Sequence, residues 1–136
     1  MKKRAIFIIL VVSVVIVIAC ALAIFFTEKG KFVFSYGKAV AGLSANEALL
    51  ILDYGGKERW FKGEVVENMT AENVFMAASS AGLSFSDGAS ISIDGFFDTG
   101  QTKWQCYLSG KVITKNLYVQ KIRPKDKIIC KYQKID

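Results

Sequence analysis

The chain runs through three hydrophobic periods in turn. From Ala5 to Phe26 there is no period at all, because every residue except Ser13 is apolar. Such a block predicts a helix greasy on all sides, about 33 Å long, enough for a hydrocarbon core of roughly 30 Å. Ala48 to Tyr54 predicts a strand whose Leu49, Leu50, Ile51 and Leu52 are buried on both faces, as in the middle of a sheet. Gly55-Gly56 supplies a tight turn, and Arg59 to Val66 returns as the second strand of a hairpin. There Phe61 and Val65 share one face while Trp60, Lys62 and Glu64 share the other, the pattern of an edge strand.

The period then lengthens to that of a helix. Thr70 caps a segment from Ala71 to about Ala81, with Val74, Phe75, Ala78 and Ala81 forming one buried stripe. Glu72 lies in the first turn, and Gly82 is placed to end the helix in the left-handed conformation. Thr70 also completes the sequon Asn68-Met69-Thr70, but capping is the simpler use for it. Period two follows. Leu83 and Phe85 alternate, Asp87-Gly88 turns the chain, and Ala89, Ile91 and Ile93 alternate with polar residues. Gly95 to Thr102 reads as a loop. Lys103 to Leu108 is a strand with Trp104, Cys106 and Leu108 on one face, Ser109-Gly110 is a hairpin turn, and Pro124-Lys125-Asp126 precedes a last strand, Ile128 to Tyr132. Phe32, Phe34 and Tyr36 alternate in the lead-in before the first hairpin without a recognisable partner.

Charge sets the expected orientation. Lys2, Lys3 and Arg4 precede the apolar block, whereas Glu28 offsets Lys29 and Lys31 after it. The positive-inside rule then places the N-terminus in the cytoplasm and the rest outside a single-pass cell membrane. The organisation reads as a basic cap over residues 1–4, a transmembrane signal-anchor over 5–26, a juxtamembrane stalk over 27–47 and one domain over 48–136. Membrane association is expected through Ala5–Phe26. Two competing fates are cleavage near Ala21-Leu22-Ala23 and lipidation of Cys20 in Val17-Ile18-Ala19-Cys20. The apolar run from Ala21 to Phe26 argues against both cuts, since mature N-termini are usually polar. Lys111 to Asp136 carries eight cations against two anions, suited to anionic headgroups or to an ordinary solvated edge. Nucleic acid is a poor fit for a domain outside the cell.

The chain has no histidine, so the commonest general base and the commonest zinc ligand are both missing. Asp53, Asp94 and Asp98 show no spacing that suits an acid/base pair, and no glycine pattern marks a phosphate loop. A binding patch is the better expectation. Phe96, Phe97, Trp104 and Tyr107 are large aromatics close in sequence, and they would bind a sugar, a cofactor face or a partner peptide. The competing use of Trp104 and one Phe is to complete a small core.

Four features stand in order: the capped helix Thr70 to Gly82, Ile93-Asp94-Gly95, Trp104-x-x-Tyr107-x-Ser109-Gly110, and Pro124-x-Asp126-x-Ile128 with Tyr132. Together, over about Ala48 to Asp136, they resemble the β-grasp domain found at the C-terminus of transcobalamin and in many bacterial surface proteins of unknown function. Ser109 stands where Asn is common in that pattern, and Lys125 where Gly is common. The resemblance implies an α+β fold, a β-grasp-like mixed sheet with one helix packed on one face. It makes the Leu49–Leu52 strand and the final strand central, the Trp60 strand an edge, and the strands of Cys106 and Cys130 neighbours. Those two thiols then form a disulfide, permitted outside the cytoplasm, or stay as buried small hydrophobes. No catalytic residue and no metal site is carried over. Cobalamin is the only cofactor the resemblance brings, and no individual ligand residue comes with it, because the chain lacks the larger helical domain that forms the other wall in transcobalamin. The expectation is a membrane-anchored, extracytoplasmic binding module for a small-molecule or protein ligand. The alternatives are a structural or assembly component of a cell-envelope complex, or a cobalamin-type ligand carrier accessory.

Overall fold

A computed structural model describes residues 2–27, 32–34, 42–88, 90–114 and 116–136. Helix α1 spans Lys2–Thr27. Its window Arg4–Ala21 is long and apolar enough to cross a membrane and has no buried residue. Over that window the helix is apolar on every side.

Strands β1 (Phe32–Phe34), β2 (Glu47–Asp53), β3 (Glu58–Glu64), β7 (Thr102–Leu108), β8 (Lys111–Val112) and β9 (Lys127–Lys134) form one mixed sheet in the order β1-β3-β2-β9-β7-β8. Strands β4 (Phe85–Ser86), β5 (Ser92–Ile93) and β6 (Phe96–Phe97) form a second, small sheet. The chain is thus α+β. The β2–β9 pair is parallel, with Leu50 beside Ile128 and Leu52 beside Cys130. All other pairs are antiparallel. Central placement of β2 explains its apolar run: Ala48 to Leu52 are all buried.

Helix α2 (Ala71–Ala78) continues as a 3₁₀ turn, Ser79–Ala81. Thr70 caps it reciprocally with Asn73: the Asn73 N–H donates to Thr70 Oγ1, and the Thr70 N–H donates to Asn73 Oδ1 at 3.0 Å. Gly82 ends it at φ 90°. Val74, Phe75 and Ala78 enter the same core as Leu50, Leu52, Phe61 and Ile128, each fully buried. Burying each of the larger of these side chains is worth about 1.5–3 kcal/mol.

Three local expectations change. The Trp60 strand is not the edge over its whole length, because β1 pairs with it from Phe61 to Gly63. Phe32 is thereby buried, so the lead-in contributes to the core. Tyr36, the third aromatic of that alternation, lies outside the described residues, as do Glu28, Lys29, Lys31 and Ala89. Gly95–Thr102 is not all loop. Asp94 and Gly95 take φ 50° and 81° and join β5 to β6 as a two-residue hairpin turn, with Ile93 opposite Phe96. The segment around Ile91 is correspondingly short as a strand, with only Ser92–Ile93 paired. Cys106 and Cys130 face each other across β7 and β9 and are joined by a disulfide.

Candidate functional site

The four aromatics do not form one surface. Trp104 shares its parity with Cys106 and points into the core, 5% exposed. Its indole N–H donates to the Phe96 carbonyl at 2.8 Å. Its ring meets Tyr54 edge-on and Tyr132 at a tilt, and both tyrosines also meet Phe96. Tyr132 Oη donates to the Phe97 carbonyl at 3.0 Å and accepts from Thr102 Oγ1 at 2.7 Å. The cluster therefore bolts the small sheet to the large one. Phe96 and Phe97 keep 43% and 58% of their surface exposed at its margin. Tyr107, opposite Ile129, is half-buried on the other face of the sheet. Cys20 is a free, exposed cysteine on α1.

Asp94 holds the other side of the small sheet. Its carboxylate accepts from Tyr54 Oη at 2.5 Å, from the Ser84 N–H at 2.9 Å and from Arg59 in an ion pair. Burial raises the Asp94 pKa, but the donors from Tyr54, Ser84 and Arg59 outweigh it and hold the carboxyl below its usual range. Burial, and then the contact with Asp94, keeps the Tyr54 phenol protonated well above its ordinary pKa. This constellation is structural. It closes on itself and leaves little for a ligand.

A different place is open. The β7–β8 ladder ends where the Ile113 N–H reaches the Cys106 carbonyl at 2.8 Å, and the chain then leaves the sheet. A cleft of about 240 Å³ lies there along the edge of β7. Its floor is Trp104, Cys106, Ile91 and Leu117, and its rim is Asp87, Ser90, Asp98, Gln105 and Asn116. Three separate connections build it, β4 to β5, β6 to β7 and β8 to β9. Asp98, which lines the cleft, is fixed by accepting the Trp104 N–H through Oδ1 at 2.8 Å. Asn116 donates to Tyr118 Oη at 2.8 Å. The adjoining Leu117 and Gln120 carbonyls take the Glu72 and Ala71 N–H groups, so that wall is tied to the start of α2. The first turn of α2 is thereby occupied and offers no anion site.

No family model matches the chain, and no curated protein matches it.

Two carboxylates, two amides and a hydroxyl over an aromatic and aliphatic floor favour a ligand rich in hydrogen-bond donors. Among the described residues no cation lines the cleft, and no group of three or more metal-ligating side chains is found. Of the residues that line it, sequence reasoning placed only Trp104 in a candidate site, and not Asp87, Ser90, Asp98, Gln105, Asn116 or Leu117. They meet only because β8 parts from β7 after two residue pairs.

Proposed function

We propose that this is a membrane-anchored, extracytoplasmic β-grasp binding module that takes a small, donor-rich ligand in the cleft beside β7. The cleft carries the reading: it is concave, apolar at its base and polar at its rim. The sheet order β3-β2-β9-β7-β8 with its central parallel pair and one helix across a face supports the β-grasp assignment and the likeness to the transcobalamin C-terminal domain. The Cys106–Cys130 disulfide supports an oxidising compartment, and with α1 as signal-anchor the positive-inside rule puts the domain there.

A volume of about 240 Å³ lies below the roughly 300 Å³ at which drug-sized pockets begin. It suits one sugar- or amino-acid-sized group and is too small to enclose a corrinoid, which disfavours the cobalamin-carrier alternative. Binding rather than catalysis is proposed because no described donor and acceptor in the cleft form a nucleophile–base pair. The test is a thermal-shift screen of the full chain in detergent against neutral sugars, amino sugars, small amines and sugar acids. Neutral or amino ligands at about 100 times Kd raise stability by about 2.7 kcal/mol. Asp98→Asn, which keeps the acceptor for Trp104 but loses the charge, weakens amine binding most. A panel in which only acids shift the melting curve, or none does, overturns the reading.

A second reading, an assembly part of an envelope complex, is favoured by β1. This edge strand is three residues long, and its Val33 is 62% exposed. Co-purification of other membrane proteins that is lost in Val33→Lys would support it over the first.

A further inference from the structure

The anchor and the basic surface meet at one end of the sheet. α1 ends at Thr27 and β1 begins at Phe32. That stretch of chain reaches at most about 17 Å however it is laid out. β1 and β2 are both antiparallel to β3, so they run the same way. Phe32 opposes Gly63, which opposes Ala48, so the chain enters the sheet at the end where β2 and β9 begin.

That same end collects the cations. The Ser109-Gly110 turn delivers Lys111 there, the Thr70–Lys121 bridge delivers Lys121, and the turn into β9 delivers Arg123, Lys125 and Lys127. All five are exposed. The anions of this end are Glu47, Glu64, Glu67, Glu72 and Asp126. Asp126 is turned inward, accepting from Ser109 Oγ and the Arg123 N–H, and Glu47 accepts from the Ser44 N–H. Glu64 and Glu67 stand at the exit of β3, so the basic half is the one on β8 and β9. The opposite end holds Asp53, Glu58, Asp87, Asp94, Asp98 and Asp136 against Lys57, Arg59, Lys103, Lys131 and Lys134, leaving it the more acidic of the two.

Resting on the reading of α1 as a membrane anchor, we propose that the β8–β9 side of the entry end docks on anionic lipid headgroups and fixes the orientation of the domain on the bilayer. The short tether confines the domain to the surface, and the negative potential of an anionic leaflet selects which end turns toward it. Trp104 and Asp98 lie toward the other end, since Trp104 opposes Tyr132 rather than Ile128.

The test uses the full chain in vesicles of phosphatidylcholine alone or with about one-third phosphatidylglycerol, labelled with a membrane-impermeant acylating reagent and read by mass spectrometry. Lys57, Lys103 and Lys131 are the internal reference. In anionic vesicles at low salt, Lys111, Lys121 and Lys127 label about three-fold more slowly than in neutral ones, and salt at about 0.5 M restores them. The triple change K111E/K121E/R123E abolishes the protection of Lys127. Equal labelling at both ends, or protection that ignores lipid charge and salt, overturns the docking even if the variant folds poorly. A protein that does not float with either vesicle overturns the anchor reading, and the docking with it.

Discussion

Among the described residues, four positions that are not glycine take positive φ: Asn68, Asp94, Ser109 and Lys125. Ser109 and Lys125 both lie in turns. Lys125, at φ 73°, follows Pro124 in the turn into β9, where glycine carries no Cβ penalty. Lys125→Gly is expected to stabilise the domain by about 1 kcal/mol, seen as a higher melting temperature. Asp94 makes a pH prediction. Its folded pKa lies below the unfolded one, so its stabilisation is complete above the ordinary carboxylate value of about 4 and is lost as pH falls through the folded value. Melting curves between about pH 2 and 6 should show a steep acid limb in the native chain. Asp94→Asn should show a lower, flatter limb, and an unchanged slope would remove Asp94 from this role.

At the scale of elements, legibility followed length. β2, β3, β7 and β9 have seven or eight residues each, and α2 carries both of its end signals. Their alternation and caps suffice to place them, because burial of one face leaves only one register. Thr70→Ala removes the reciprocal cap and should cost about 1 kcal/mol in a denaturant melt. β4, β5, β6 and β8 have two residues each, too few to show a period, and β1 has three. Asp94-Gly95 was nonetheless a readable hairpin signal, and the two phenylalanines after it are the returning strand. The inward face of Trp104 was also readable, from the parity it shares with Cys106 and Leu108. The cleft was not, since its walls come from loops that only the three-dimensional path brings together. The disulfide closes β7 to β9 across 24 positions of sequence. Replacing both cysteines, Cys106→Ala with Cys130→Val, should cost about 3 kcal/mol, and reductant should lower the melting point of the native chain in the same way.

The molecule as a whole is a sheet assembled from both ends of its chain. β2 is flanked by β3, its hairpin partner, and by β9, more than seventy positions later in the sequence. Leu50 and Leu52 gain their second neighbour only from Ile128 and Cys130. The small sheet, the aromatic cluster and the cleft depend on the same pairing, since Trp104 lies opposite Tyr132 on β9.

Putting so late a strand in the middle has a consequence during synthesis. A nascent chain halted before Lys127 has made its hairpin and α2 but offers them a half-built floor, with the edges of β2 and β7 both open. Such a species is a ready template for sticking to its neighbours. Cutting back through Lys127–Lys134 should therefore abolish folding outright, instead of trimming stability by degrees.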